Sequence, residues 1–279
     1  MKTNSPSHDE TYLRANRENW NERVVHHFGT KYYDVQGFLS GRCTLRPVEL
    51  KALGDVTGKR ILHLQCHFGL DTLSLRRMGG IVAGVDFSEA AIQKARELSE
   101  MTELSAEFYC TDVHSVWDVL DCGSFDLVFA SYGVFCWIRD LYHWFAVASA
   151  MLQPDGRIFV IDGHPVLDML NYDAADDRFS FNGNYFHEEA PELCTVKESY
   201  TGEGGSLVNS TTYQWYHHMG EFATAAASAG LMVHSLTEYP YCHFRKFPCM
   251  VQRSDSYWEI PNHNLPIMFS MDCRKVPNV

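Results

Sequence analysis

Apolar positions change period along this chain, and the changes mark out its elements. Ile61, Leu62 and Leu64 form a short apolar run that ends in loop residues, the pattern of a buried parallel strand. Leu70, Leu73 and the surroundings of Met78 then fall at helical spacing, and Gly79-Gly80 closes that helix. A second apolar strand, 81–85, stops at Asp86, after which Ser88 caps a helix carrying Ala91, Ile92, Ala95 and Leu98 on one face. Residues 60–98 thus read as strand, tight loop, helix, strand, turn and helix. The alternation continues with strands at 106–110, 124–130 and 157–161, a helix at 140–152, and a turn at Pro154-Asp155-Gly156. Strand and helix in strict alternation predict a doubly wound parallel sheet.

The flanks depart from that rhythm. Residues 10–27 are helical in pattern, with Tyr12, Leu13, Trp20 and Val24 as the large apolar positions and Gly29 at the end. Tyr32, Tyr33, Val35 and Phe38 show no clear period, and a short helix is expected at 46–53 with Pro47 early in it. From 166 to about 213 the βα rhythm breaks. There, 194–200 and 206–215 alternate as strands joined across 202–205. An Ala-rich helix at 219–229 closed by Gly230, a strand at 231–238, an aromatic loop at 239–265 and a last alternating strand at 266–275 complete the chain. The expected divisions are therefore 1–54, 55–165, 166–215 and 216–279.

Composition narrows the function class. With 46% hydrophobic and 21% charged residues, the 279-residue chain is an ordinary globular one. A formal charge of −12 argues against nucleic acid and anionic membrane surfaces as partners, since both need a basic face. No secretory leader pattern or long uncharged apolar segment is expected, which predicts a cytoplasmic protein. The nine cysteines are odd in number and scattered, so they read as reduced thiols, with Cys66 and Cys110 expected at buried strand ends.

The candidate chemistry gathers at the carboxyl ends of the strands. Asp86 lies at the tip of the second strand, about 20 residues past the first loop, where an acid suits the hydroxyls of a bound ribose. Here the residues resemble motifs I and II of class I S-adenosylmethionine-dependent methyltransferases. Motif I ordinarily holds an acid and then three glycines at every second position. This chain has His63, Gln65, His67 and Gly69 there, so only the last glycine remains. HLQCHFG resembles a variant seen in bacterial small-molecule methyltransferases. The resemblance implies a Rossmann-like seven-stranded sheet in the order 3-2-1-4-5-7-6 with the last strand antiparallel. It also implies S-adenosyl-L-methionine as cofactor, an N-terminal helical lid at 1–54 and an inserted cap at 166–215. The residues it implies for the cofactor are Trp20, Tyr33, Gln65, His67, Gly69, Asp86, Phe87, Asp112, Val113 and Ser131. Asp112 matches the motif III acid set against the adenine amino group, and SFDLVFA resembles motif IV, with Asp126 at its start in a structural role.

Methyl transfer from a sulfonium is an in-line displacement, so a strong cofactor signature and a weak catalytic one are expected. A base is needed only for an acceptor that arrives protonated, and His164, just past the fifth strand, is the candidate, with Tyr132 as a second polar contributor. His26-His27 and His217-His218 are further histidine candidates, one of each pair being expected in solvent. His63-x-x-x-His67 has metal-like spacing, but a strand-to-loop segment denies the pair a shared face, and no metal centre is expected. The predicted reaction is methylation of an oxygen or nitrogen of a small-molecule acceptor of secondary metabolism, partly planar or cationic given the aromatic-rich lid and cap. A homodimer is an open possibility. The alternative is another S-adenosylmethionine-consuming reaction, intramolecular cyclisation releasing methylthioadenosine. A nucleic-acid amino-methyltransferase would carry Asn or Asp, two prolines and an aromatic where this chain has Ser131-Tyr132-Gly133-Val134. A dehydrogenase is disfavoured by the poor Gly-x-Gly pattern, and a non-catalytic ligand-binding protein is the remaining class.

Overall fold

The computed structural model describes residues 8–276 apart from Asn182 and Gly204. In chain order its elements are α1 (His8–His27), α2 (Val35–Leu39), α3 (Pro47–Leu53), β1 (Arg60–Leu64), α4 (Leu70–Arg77), β2 (Ile81–Asp86), α5 (Glu89–Thr102), β3 (Glu107–Cys110), β4 (Phe125–Ser131), α6 (Leu141–Met151) and β5 (Leu152–Gly163). There follow α7 (Pro165–Met169), β6 (Leu170–Asp173), β7 (Arg178–Phe181), β8 (Glu192–Thr195), β9 (Thr211–Gln214), α8 (Met219–Ser228), β10 (Leu231–Tyr239), β11 (Tyr241–Cys242), β12 (Val251–Gln252), β13 (Trp258–Glu259) and β14 (Met268–Lys275).

The main sheet has seven strands in the order β10-β14-β5-β4-β1-β2-β3. Numbered within the sheet alone, that is 3-2-1-4-5-7-6, the expected order. β1 and β2 pair in parallel, as do β2 and β3, and β4 and β5. β14 runs antiparallel to both β5 and β10. Parallel central strands need apolar side chains on both faces, and Ile61, Leu62, Leu64, Val128, Phe129, Ile158, Val160 and Ile161 are fully buried. The caps follow local chemistry. Ser88 Oγ accepts the Ala91 N–H, and Asp140 Oδ1 accepts the His143 N–H, each satisfying a donor of a new helix.

The chain divides into two compact units. One comprises the residues up to Leu45, Asp55–Val119 and Ala190–Gln214; the other comprises Arg46–Gly54, Leu120–Glu189 and Trp215 onward. The segment 166–215 is therefore shared between them, and 190–214 is in the unit that contains α1.

Several elements differ from expectation. α2 forms where no period was visible, because Asp34, at positive φ, accepts the Gly37 N–H through its side chain and starts the turn. β6 and β7 form a hairpin, and β11, β13 and β12 make a small sheet in the stretch 239–265 read as loop. β8 and β9 pair antiparallel but are shorter than the expected strands at 194–200 and 206–215, and beyond them only Glu198 and Ser206 form a bridge. All nine cysteines are free, but Cys110 is exposed at the end of β3, an edge strand.

The larger departure is in α1. Leu13 is exposed, while Asn16, Asn19, Arg23, Val24 and His27 are buried. The buried stripe has helical spacing, yet it is mostly polar. Asn16 donates to the Tyr213 carbonyl and accepts its N–H, both at 2.8 Å, as a neighbouring strand would. Asn19 donates to the Asn209 carbonyl, and the Glu22 carboxylate accepts the N–H groups of Val208 and Asn209 at 2.7 Å. One helix face thus satisfies the outer edge of the segment running into β9.

Candidate active site

The loop between β1 and α4 carries the local anomaly. Gln65, His67 and Gly69 have φ values of 54°, 50° and 77°. These are the every-second positions, and two of them are held left-handed without glycine, at a cost of about 1 kcal/mol or more each. Gly69 could not be replaced. A Cβ there would lie 2.8 Å from the Phe108 ring, and one on Gly84 of β2 would meet the same ring at 2.8 Å. Phe108 thus fills the space left by two glycines and supports the loop from below.

Asp86 joins the loop to the end of β2. Its Oδ2 accepts the His67 N–H at 2.8 Å and its Oδ1 accepts the Ser88 N–H at 2.9 Å. The Phe87 N–H also bonds this carboxylate, which with about four lone-pair sites still has capacity for a further donor. Burial pushes the carboxyl up to about 6, against the opposing pull of those backbone N–H groups.

Rings gather on the loop. His67 stacks on His27 and on Tyr33, with both centroids at 5.3 Å, and the edge of Trp20 lies 5.3 Å away. The Arg23 guanidinium sits over the rings of Trp20 and Tyr200. Hydrogen bonds fix the tautomers in series. The Phe68 N–H donates to His67 Nδ1 at 2.8 Å, so His67 carries its proton on Nε2 and directs it at His27 Nδ1, 3.2 Å away. His27 in turn donates from Nε2 to Ser199 Oγ at 2.7 Å. The hydroxyls of Tyr33 and Tyr200 are bonded to each other. Burial, reinforced by Arg23 and His26, pushes His27 down to about 3; burial, His27 and Arg23 also lower His67, so both imidazoles are neutral.

At the neighbouring strand ends, Phe87 is half-buried and its carbonyl accepts the Cys110 thiol. Asp112 caps a 3₁₀ turn by accepting the His114 N–H at 2.8 Å, and Val113 behind it is buried. Trp20, Tyr33, Gln65, His67, Gly69, Asp86, Phe87, Asp112 and Val113 all belong to the first unit.

Ser131, Tyr132 and His164 belong to the second unit, at the ends of β4 and β5. Tyr132 has a φ of 56° and its ring lies 4.0 Å from that of His243. Its hydroxyl is pushed well above the ordinary phenol range by burial, Glu49 and Tyr257. His164 is buried, and both of its ring nitrogens are engaged. Nδ1 accepts the Val166 N–H at 3.1 Å, capping α7, and Nε2 donates to Glu238 at 2.7 Å. Burial lowers its pKa against the opposing effect of Glu238. Of the two members of each histidine pair, His27 and His217 are buried and His26 and His218 are less so.

Residues 62–160 match the family model described as a methyltransferase domain. Over 118 residues the chain is 28% identical to a ubiquinone biosynthesis O-methyltransferase of Coxiella burnetii, a match covering 41% of this chain and 49% of that protein. The chain thus spans about half the length of that relative. Among solved structures it is similar to an S-adenosylmethionine-dependent methyltransferase from Mesorhizobium loti, with a TM-score of 0.59 and 19% identity over 85% of this chain and all of that one. It is also similar to the 1,6-didemethyltoxoflavin-N1-methyltransferase of Burkholderia thailandensis with bound 1,6-didemethyltoxoflavin and S-adenosylhomocysteine. There the TM-score is 0.53 and the identity 14% over 98% and 91% of the two chains. The matched stretch opens inside β1 and ends inside β5, so it contains the loop, Asp86 and Asp112. The likeness extends the shared fold to the flanks.

Sequence reasoning overlooked three contributors. Asp162 accepts four backbone N–H groups, from Gly133 at 2.5 Å, Gly163 at 2.7 Å, Val134 at 2.8 Å and Phe135 at 3.1 Å, and so fixes the loop after β4. Burial raises its pKa against those bonds. The signal was an acid ending an apolar strand, the same signal that singled out Asp86. Ser199 and Tyr200 fall at the end of the stretch 194–200 expected as a strand, and strand alternation carries no mark that such residues meet the loop rings. Among the described residues no helix is long and apolar enough to cross a membrane.

Proposed function

We propose that this protein transfers a methyl group from S-adenosylmethionine to an oxygen or nitrogen of a small-molecule acceptor of secondary metabolism. The observation that carries the reading is the β1–α4 loop. Its three left-handed residues keep the backbone path of a glycine loop although two of the glycines are gone, and Asp86 lies hydrogen-bonded beside it. The cofactor supplies an electrophilic methyl on a sulfonium. Asp86 accepts from the ribose hydroxyls, Asp112 faces the adenine, and the Trp20, Tyr33 and His67 rings exclude water from the methionyl side. Neutral His27 and His67 add no further positive charge beside the Arg23 guanidinium, which limits the repulsion a sulfonium would meet there.

His164 supports a base role least among the expected residues, because its free pair already accepts the Val166 N–H. We therefore assign it to positioning the end of β5, and leave acceleration to alignment of the acceptor. The names of the relatives favour ring acceptors bearing hydroxyl or nitrogen nucleophiles.

Product analysis tests the reading. Incubation of the full chain with S-adenosylmethionine and a panel of phenols, catechols and nitrogen heterocycles should yield S-adenosylhomocysteine and a methylated ring in equal amounts. Release of methylthioadenosine without a methylated product would instead support cyclisation, and failure to bind S-adenosylhomocysteine would remove the cofactor assignment altogether.

A further inference from the structure

Within the second unit a histidine of the β7–β8 segment meets the start of α8. His217 donates its Nε2–H to the Ile138 carbonyl at 2.6 Å, which leaves Nδ1 as a lone pair. That lone pair faces Glu221 Oε2 at 3.2 Å, one helical turn on. Both side chains are more than nine-tenths buried, and neither His217 Nδ1 nor Glu221 Oε2 has a hydrogen-bond partner. Two buried acceptors this close repel each other unless a proton or a cation lies between them.

The third group is His187. Its ring stacks on that of His217 at 4.9 Å and 12°, and its Nδ1–H donates to the Tyr216 carbonyl at 3.2 Å, leaving Nε2 with the free pair. One ligand atom from each of the three residues lies within 4.8 Å of the others. Each imidazole thus gives its N–H to a backbone carbonyl and keeps the other nitrogen as donor pair, the second-layer arrangement that accompanies metal-bound histidine. The His217–Glu221 separation also suits a shared ion. Bonds of about 2.0–2.1 Å in a tetrahedron set ligand atoms about 3.3 Å apart.

We propose that His187, His217 and Glu221 bind a divalent metal ion, zinc by the chemistry of two imidazoles and one carboxylate. The ion joins the segment before β8 to the first turn of α8 and leaves its fourth position to water. This departs from the expectation of no metal centre, and it does not depend on the proposed methyl transfer. The sequence gives no zinc-motif spacing, since His187 lies thirty residues before His217.

The test uses the full chain freed of metal with a chelator. Zinc added alone should bind at one equivalent by calorimetry and raise the melting temperature. Cobalt in its place should give visible d–d bands without the thiolate charge-transfer band that a cysteine site would add. His187→Ala, at a half-buried position, and the isosteric Glu221→Gln should each weaken zinc binding by more than about 10-fold. A thiolate band, absence of stoichiometric zinc, or unchanged binding in both variants would overturn the site. So would nitrogen NMR showing His217 protonated on both ring nitrogens with zinc present, because the pair would then be an ion pair only.

Discussion

If Asp86 accepts from the cofactor ribose, cofactor affinity must follow the ionisation of that one carboxyl. Burial raises it from the ordinary 3.8 to about 6, worth about 3 kcal/mol between its two protonation states. The sign follows from the raised value. The ligand-free fold binds this proton more tightly than the unfolded chain does, so Asp86 costs the fold nothing below about pH 4. The cost grows as pH rises and is complete above about pH 6. Two ribose hydroxyls donate to the ionised form and offset part of it. At pH 5 about nine-tenths of the carboxyl is protonated, and at pH 7 about one-tenth. S-adenosylhomocysteine should therefore bind about tenfold more weakly at pH 5 than at pH 7, close to 1.4 kcal/mol. Near pH 6 binding should release about half a proton, read from calorimetry in buffers of different ionisation enthalpy. Asp86→Asn should abolish both effects and weaken binding at pH 7 by about 1.5–3 kcal/mol, the loss of a charge-assisted acceptor. An affinity that is flat from pH 5 to 7.5, or a pH slope that persists in the Asn variant, refutes the assignment.

The buried imidazoles predict the opposite slope for stability. His27 is held at about 3 and His63 at about 4, each first of all by burial, so their contribution is full above about pH 6.5 and is lost progressively as pH falls below it. The urea midpoint should drop between pH 7.5 and 5, and less steeply in His27→Gln; an equal drop in both proteins counts against the buried neutral box. Gly84→Ala should cost about 1–3 kcal/mol by driving a methyl into the Phe108 ring and the Cys66 sulfur, and Phe108→Leu should make that substitution less costly without abolishing the loss; fully additive losses in denaturant titrations would show that the ring is not an obstacle. His164→Ala should lower stability by about 1 kcal/mol, the cost of a lost cap, and reduce turnover less than about tenfold. A fall of 10²-fold or more, of the size about 10²–10⁴ known for a lost general base, would restore it to the chemistry.

Much of this was legible in order along the chain. The apolar runs at β1, β2, β4 and β5 and the caps Ser88 and Asp140 are local features, and alternation of strand and helix leaves few sheet topologies to choose from. The sequence alone therefore determined the doubly wound sheet, the place of Asp86 at a strand tip and the loop beside it. It did not determine what lies on that loop. The buried face of α1 is Asn16, Asn19, Arg23 and His27 beside Val24, and a search for apolar periodicity finds only Val24 there. Asn16 and Asn19 are buried because the segment running into β9, nearly two hundred residues on, brings backbone groups that need partners, and His27 because it meets Ser199 and His67. The same holds for His164, whose role depends on Glu238, and for His187, which meets His217 and Glu221 only through the fold. Local hydrogen bonding and hydrophobic period are written in neighbouring residues. Whether a polar side chain is a base, a cap or a ligand depends on the donors and acceptors facing it, and only tertiary structure supplies those.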